Sequence, residues 1–317
     1  MYFYLTIAQM AVAWPVVIGI GWAVGFLSGL FGVGGGFLIT PLLMFIGIPT
    51  EVAVATGANQ AVATSASAAI AQWQRGNVDL KIGMLLLVGG GVGAVLGVGL
   101  VSVLRSVGQI DFAIAICYAV LLGILGTLML VEGGMAMRRS AMAVPAGRAR
   151  SRSHYAWVHG LPFKMRFPRS KLYMSALPPV VLGAIVGILG ALMGVGGGFI
   201  LVPAMVYLLK MSTQVVVGTS LVQVAAVSAL ATLLHATQNH TVDVELALLL
   251  IIGGVVGAQF GAKFGSQIKS EQLRALLGLI VLAVGIRFAL QLVLEPSELY
   301  GLTAPRPDFH DLIRQSR

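Results

Sequence analysis

Ten apolar segments follow one another along the 317 residues of the chain, and most approach the roughly 20 residues that an α-helix needs to cross a bilayer. They fall at about residues 11–31, 36–47, 52–72, 82–105, 111–132, 174–193, 198–209, 214–237, 244–266 and 271–294. Only 10% of the residues are charged, against about 25% in soluble domains. The sequence therefore predicts an all-α polytopic membrane protein. Soluble enzymes, secreted disulfide scaffolds and nucleic-acid binders are excluded.

The positive charge of the chain is concentrated in one connecting segment. Nine of the 20 Lys and Arg residues lie between Arg138 and Lys171. Basic residues near membrane spans favour the cytoplasmic side, so we predict that residues 133–173 form a basic cytoplasmic loop and that both termini lie outside. The net charge of +9 thus orients the protein in the lipid bilayer and does not indicate a nucleic-acid partner.

One glycine-rich motif occurs twice. Residues 29–41 read GLFGVGGGFLITP and residues 191–203 read ALMGVGGGFILVP. Each half of the chain holds five apolar segments, or three crossings plus a re-entrant pair. Because either number is odd, the two halves are predicted to be inverted-topology repeats, which are typical of secondary transporters with alternating access. We divide the chain into a first membrane repeat, the basic loop, a second membrane repeat and a tail, at residues 1–132, 133–173, 174–294 and 295–317.

Each motif precedes an apolar segment that is too short to span the membrane. Segment 36–47 would be about 18 Å long as a helix, against a hydrocarbon core of about 30 Å. Glycines let the backbone break a helix and present N–H groups at the positive start of the next one, where a small anion can bind. We therefore predict broken or re-entrant helices and an anion site near the membrane midplane. The predicted donors are Gly34, Gly35, Gly36 and Phe37 of the first motif and Gly196, Gly197, Gly198 and Phe199 of the second.

Polar residues within the third segment of each repeat are further candidates. Amides and hydroxyls inside a membrane face protein or a cavity, although as helix–helix hydrogen bonds they contribute only about 0.6–2 kcal/mol each, so packing explains some of them. The residues predicted to line the pathway are Asn59, Gln60, Thr219, Ser220 and Gln223. Those given less weight are Thr56, Thr64, Ser65, Ser228 and Thr232.

Charged and titratable residues inside the segments are few. Arg287 lies deep enough in the last segment to be costly unless it snorkels or lines a cavity, and it is a candidate for attracting the anion. His235, Asp79 and Asp243 could relay protons, but their helix-end positions favour solvated or capping roles. The glycines of 89–99 and 253–261 indicate close helix packing.

These features resemble the TauE/SafE family of anion permeases. The resemblance lies in the Gly-Val-Gly-Gly-Gly-Phe motif followed by proline, in the Gly-Thr-Ser-Leu of residues 218–221, and in the duplication. The first repeat departs from the pattern and reads Gly-Ala-Asn-Gln at residues 57–60. The resemblance implies transport of sulfite, an organosulfonate or another small organic anion across a bacterial inner membrane, without a bound cofactor.

The function predicted is therefore a secondary transporter of small anions, most simply of sulfite or an organosulfonate. An inside-negative potential favours anion efflux by about 2.3 kcal/mol per charge per 100 mV, so export needs no coupled ion, whereas import would need protons or sodium. An anion channel and a permease for a small carboxylate remain alternatives. No catalytic His, Asp and Glu constellation lies within the segments, and the single Cys117 does not suggest a metal site, so an enzyme is not expected.

Overall fold

The computed structural model describes residues 2–5, 7, 8, 10–31, 34, 36–141, 164–167, 172–209, 211–265 and 270–293. This part of the chain is dominated by α-helices. In chain order they are α1 (Trp14–Phe31), α2 (Ile39–Phe45), α3 (Thr50–Gln74), α4 (Leu80–Ser106), α5 (Ile110–Ala141), α6 (Leu177–Met193), α7 (Gly198–Tyr207), α8 (Thr213–Leu234), α9 (Val244–Gly265) and α10 (Ser270–Val293). A π-helical turn, His235–Asn239, continues α8.

Six described segments are long and apolar enough to cross a membrane. They are Trp14–Phe31, Leu80–Ser106, Ile110–Met135, Gln214–Asn239, Val244–Gly261 and Ala275–Val293. Large apolar side chains such as Leu96, Ile124 and Ile252 are more than half exposed, as expected of helices that face lipid and not water. The prediction of a helical polytopic membrane protein is confirmed.

Two short β-hairpins depart from the all-α prediction. Strand β1 (Tyr2–Leu5) pairs antiparallel with β2 (Met10–Ala13), and β3 (Lys164–Phe167) pairs antiparallel with β4 (Leu172–Ser175). The β3 residues Lys-Met-Arg-Phe alternate basic and apolar side chains, which is the period of a strand. The sequence predicts a loop here because strands of four residues are far shorter than a membrane span.

The basic segment also begins later than predicted. Helix α5 continues to Ala141, nine residues beyond the predicted end at residue 132. Alanine, methionine and arginine at residues 135–139 are good helix formers, so the helix extends past the apolar span. Residues 142–163 and 168–171 of the predicted loop, and the whole tail 295–317, lie outside the described residues.

Helices α5 and α10 pack against each other in opposite directions. A Cβ on Gly126 would lie 2.8 Å from the nitrogen of Leu282, and a Cβ on Gly278 would lie 2.8 Å from the nitrogen of Leu130. As the residue number rises on α5 it falls on α10, so the pair is antiparallel. Glycine at the contact lets the two backbones approach closely.

Helix α1 instead runs parallel to α9. Gly25 lies against Gly254, and Gly29 lies against Ala258. A Cβ on Gly25 or on Gly29 would overlap the backbone of α9. The residue numbers rise together along both helices. The predicted role of the 253–261 glycines in packing is thereby confirmed.

Helix α4 runs parallel to α6 in the same manner. Gly93 lies against the backbone of Ala184, and a Cβ on Gly97 would be 2.7 Å from the carbonyl oxygen of Ile188. Gly89, Gly93 and Gly97 therefore serve packing as predicted, whereas Gly99 has no neighbour within 4 Å. Helices α3 and α8 pack on each other, and α3 also contacts α9 while α8 contacts α4. These two polar helices thus connect the glycine-lined pairs.

Candidate functional site

The second glycine motif reverses the chain between α6 and α7. Gly194, Gly196 and Gly197 have φ angles of 70°, 66° and 77°, in the left-handed region that favours glycine. Helix α7 begins at Gly198, directly after this reversal. The motif therefore lies between the end of one helix and the start of the next.

The first motif leads into its helix less directly. Gly34 has a φ of 85°, but Gly36 and Phe37 lie in a turn, and the seven-residue helix α2 begins only at Ile39. The helix expected over 36–47 is therefore shorter at its start. Beginning at Ile39 places Pro41 in the first turn, where its missing N–H is tolerated and its ring has no carbonyl to clash with. Gly35 lies outside the described residues.

The phenylalanines of the two motifs are in contact. The rings of Phe37 and Phe199 are stacked, with centroids 5.6 Å apart and an interplanar angle of 27°. Both side chains are buried. A Cβ on Gly36 would lie 2.8 Å from the carbonyl oxygen of Val195, so the two motif backbones also approach each other. The structure thus brings the two copies of the motif together.

Two glutamines on the long helices that follow the motifs lie in equivalent surroundings. Gln60 on α3 and Gln223 on α8 are both fully buried, and neither side-chain amide makes a hydrogen bond with a described residue. Gln60 lies against Gly254 of α9, and Gln223 lies against Gly90 of α4. Buried polar groups are nearly always hydrogen-bonded, so two unpartnered amides require an explanation.

Two serines face the motif glycines from the same helices. A Cβ on Gly34 would lie 2.9 Å from the hydroxyl oxygen of Ser65, and a Cβ on Gly196 would overlap the hydroxyl oxygen of Ser228. Both serines are buried, and both hydroxyls lack a hydrogen-bond partner among the described residues. These two serines carried less weight in the prediction, since their spacing alone does not reveal that they face the motifs.

Together these side chains form a neutral set of hydrogen-bond donors and acceptors. An amide supplies two N–H donors and a hydroxyl supplies one, and both residue types can also accept. We call Gln60, Ser65, Gln223 and Ser228 the buried polar cluster. Val224 of α8 lies 3.4 Å from a Cβ on Gly34 and 2.7 Å from a Cβ on Gly196, so one apolar side chain contacts both motifs. These four side chains therefore supply hydrogen-bonding groups without a formal charge on the two central helices.

The sequence matches the family described as Sulfite exporter TauE/SafE over residues 17–288. The chain belongs to this family. Its match covers both glycine motifs and all four residues of the cluster, and the prediction of a membrane transporter is confirmed.

Relatives of this TauE/SafE protein share most of its length. A probable membrane transporter protein of Xylella fastidiosa (strain 9a5c) is 30% identical over 278 residues, which is 86% of this chain and 93% of the relative. The probable membrane transporter protein YunE of Bacillus subtilis is 24% identical, over 85% of this chain and 95% of the relative. No solved structure shows a significant match.

Two of the predicted pathway residues have structural partners in the TauE/SafE chain. The Thr219 hydroxyl accepts a hydrogen bond of 3.0 Å from the backbone N–H of Asp79, and the Ser220 hydroxyl donates to the carbonyl of Val217 at 3.0 Å. Asn59 is half-buried. Neither hydroxyl belongs to the unpartnered group that contains Gln60 and Gln223.

The Thr219 contact has a counterpart that corrects the alignment of the repeats. The hydroxyl of Thr56 accepts a hydrogen bond of 3.4 Å from the N–H of Asp243. Thr56 therefore corresponds to Thr219, and at the same interval Gln60 corresponds to Gln223. Matching residues 57–60 to residues 218–221 on their shared glycine gives an alignment offset that is two residues too small.

The aspartates of these contacts cap helices, as expected from their positions. The Asp79 carboxylate accepts from the N–H groups of Lys81 and Ile82 at the start of α4, and that of Asp243 accepts from Leu246 at the start of α9. Both aspartates are buried. Capping satisfies N–H groups that have no partner within the helix.

Arg287 does not join the cluster. Its guanidinium carbon lies 5.4 Å from the ring centroid of Phe45, the last residue of α2, and Arg287 itself is exposed. This geometry is a cation–π contact with a snorkelling side chain. Within the described ranges, no group of three His, Cys, Asp or Glu residues could hold a metal ion.

Proposed function

We propose that this TauE/SafE protein is a secondary transporter that carries a small anion, sulfite or an organosulfonate, by alternating access. The observation that carries the proposal is the buried polar cluster: four buried polar side chains on α3 and α8, unpartnered among the described residues, two of which, Ser65 and Ser228, face glycines of the two motifs. A bound oxyanion would accept hydrogen bonds from these donors and remove the cost of burying them.

The donors in this proposal come from two sources. The side-chain amides of Gln60 and Gln223 and the hydroxyls of Ser65 and Ser228 surround the site, and the N–H groups at the start of α7 and in the turn at Gly36 and Phe37 add main-chain donors. We place this site near the membrane midplane. Asn59, Thr219 and Ser220 then position the site's helices, and Arg287 acts at the surface.

Helix directions support an inverted repeat. If α5 and α10 are equivalent helices, two repeats in the same orientation would make them parallel, yet they pack antiparallel. In the same inverted repeat, α1 is equivalent to α6 and α9 is equivalent to α4. The parallel pair α1 and α9 is therefore equivalent to the parallel pair α6 and α4. We therefore infer two inverted repeats, residues 1–132 and 174–294, joined by the basic segment 133–173, which begins with the end of α5, and followed by the tail 295–317.

The repeat also suggests an orientation. The backbone N–H of Ile7 donates to the carboxylate of Asp243 at 3.3 Å, so the N-terminal hairpin lies beside the start of α9. We propose that this side faces outwards and that residues 133–173 face the cytoplasm of a bacterial inner membrane, because basic residues favour that side.

Counterflow in proteoliposomes tests the proposal. Vesicles loaded with unlabelled sulfite or a short alkylsulfonate should take up the labelled anion with saturable kinetics. Ser228→Ala should raise the half-saturating concentration about tenfold, since a hydrogen bond to a charged group contributes about 1.5–3 kcal/mol. Thr127→Ala removes an exposed hydroxyl that bonds only within its own helix and is the matched control.

Other outcomes select other functions. Uptake that rises linearly with concentration, without counterflow, would indicate an anion channel. Counterflow of small carboxylates but not of sulfite or sulfonates would indicate a carboxylate permease. An equal half-saturating concentration for Ser228→Ala and wild type would place the anion elsewhere in the protein.

A further inference from the structure

A continuous chain of polar contacts runs from one surface of the molecule to the second glycine motif. Glu51 Oε2 lies 3.1 Å from Arg105 Nε, and both side chains are partly exposed. Arg105 Nη1 donates to the backbone carbonyl oxygen of Asn239 at 3.2 Å. The Asn239 side-chain amide lies 3.0 Å from His235 Nδ1, and His235 Nε2 lies 3.1 Å from the carbonyl oxygen of Ala191.

His235 occupies a special place in this chain. It is buried at 1% exposure and is the first residue of the π-helical turn that ends α8. Such turns occur frequently at functional sites. Ala191 lies in the last turn of α6, three residues before Gly194. A buried imidazole therefore lies between the surface and the motif, contrary to the solvated or capping role expected from the sequence.

The surroundings of His235 contain few charges. From α6 it meets a backbone carbonyl, and from its own turn it meets the neutral amide of Asn239. The charged groups of this network are Arg105 on α4 and Glu51 on α3, and both are connected to His235 through Asn239. No carboxylate contacts the imidazole directly in the described hydrogen-bond network.

The network can accommodate both charge states of the imidazole. The Ala191 carbonyl only accepts, so Nε2 carries a hydrogen, and in the neutral form Nδ1 accepts from the Asn239 amide. The side-chain oxygen of Asn239, Oδ1, then accepts from the hydroxyl of Ser102 at 2.9 Å. If Nδ1 gains a proton, the Asn239 amide can rotate, offering its oxygen to the imidazolium and its N–H to the Ser102 oxygen. Every polar atom keeps a partner.

We propose that His235 is a proton-binding site that couples proton movement to anion transport. The proposal rests on the proposed function, since the anion site it serves includes Ser228, seven residues earlier on α8 and about 10 Å away along the helix. A hydronium ion at the Arg105 surface transfers its proton to Nδ1 and leaves as water, and a water molecule from the other side of the membrane takes that proton from Nδ1 when the protein has opened to that side. One proton carried with a monoanion makes transport electroneutral.

The test compares wild type with His235→Gln in proteoliposomes that contain a trapped pH-sensitive dye. Glutamine can donate to the Ala191 carbonyl and accept from Asn239, but it does not titrate. We expect wild type to take up labelled sulfite faster when the outside is acidic, with acidification of the interior. The variant should lose both responses by at least tenfold and retain exchange at equal pH. Proton movement at the wild-type rate in the variant would overturn the proposal.

Two further variants keep the test decisive. His240→Asn changes an exposed histidine whose φ of 52° asparagine tolerates, and it should leave the coupling unchanged. Asn239→Asp places a carboxylate beside Nδ1, which favours the imidazolium and should move the pH profile of uptake to higher pH. If His235→Gln fails to fold, an unshifted profile for Asn239→Asp overturns the proposal.

The two proposals fail in different ways. Wild-type protein without any saturable exchange refutes the proposed anion transport. Wild-type protein that exchanges the anion but shows no response to a pH gradient refutes only the role of His235.

Discussion

The ring of Phe37 stacks on the ring of Phe199, with centroids 5.6 Å apart, although the two residues lie in different halves of the chain. Each ring follows the glycines of its own motif. The contact therefore joins the two halves at the point where both are interrupted. Any movement of one motif relative to the other has to separate or slide these rings.

The stacked pair should contribute to stability as a unit. An aromatic pair is worth about 0.5–1.5 kcal/mol beyond the area that it buries. A double-mutant cycle with Phe37→Leu and Phe199→Leu, followed by thermal unfolding in detergent, should give a coupling energy in that range. Additive effects of the two changes would show that the rings do not interact energetically.

Adjacent glycines of the second motif should respond differently to alanine. Gly196 and Gly197 have similar φ angles of 66° and 77°, so alanine carries the same backbone cost of about 1–2 kcal/mol at both. A Cβ on Gly196 would overlap the Ser228 hydroxyl, whereas one on Gly197 would overlap Val186 of α6. Gly196→Ala should therefore reduce anion affinity at least tenfold, measured as the half-saturating concentration of counterflow.

Gly197→Ala is the matched control for that experiment. It should lower the unfolding temperature through its clash with α6. Because alanine keeps the backbone N–H of residue 197 and its Cβ meets Val186 and not Ser228, the affinity of the folded protein should stay within about threefold of wild type. Equal losses of affinity in both variants would mean that the motif acts only through its backbone shape.

Thr219→Val should affect folding more than binding. The change removes the acceptor of the Asp79 N–H bond, and loss of a partner for a buried donor costs about 1–3 kcal/mol. The unfolding temperature should fall, while anion affinity in the remaining folded protein stays close to wild type. A specific loss of affinity at unchanged stability would return Thr219 to the substrate-binding group.

The basic loop and the C-terminal tail should lie on opposite sides of the membrane. With Cys117 replaced by alanine, single cysteines introduced at residues 150 and 312 should react with an impermeant maleimide from the cytoplasmic and the outer side, respectively. Labelling of both positions from one side would contradict the inverted repeat.

The membrane helices could be predicted from the sequence because lipid imposes one simple requirement. A span needs about 20 apolar residues, and runs of that length are visible without any partner. Helices such as α4 and α9 therefore matched the predicted segments closely. The hairpin β3–β4 was not predicted, since its four-residue strands fall far below the length of a span.

The candidate site could be predicted only in part. Gln60 and Gln223 can be identified from the sequence because amides inside apolar helices are unusual. Ser65 and Ser228 differ from other small hydroxyl residues only through the glycines they face, and this contact joins residues far apart in the chain. His235 bonds to a residue of α6, and Asn239 bonds to residues of α4. These contacts also join residues far apart in the chain, so spacing along the sequence could not reveal them.

Equilibrium binding tests the central claim most directly. Purified wild-type protein should bind radiolabelled sulfite or a short alkylsulfonate saturably, with one site per chain. Gln60→Leu and Gln223→Leu should each weaken binding about tenfold to a hundredfold, since each removes donors to a charged ligand, and neither should lower the unfolding temperature, since each removes an unpartnered buried amide. Wild-type affinity in both folded variants would contradict the assignment of the buried polar cluster as the anion site.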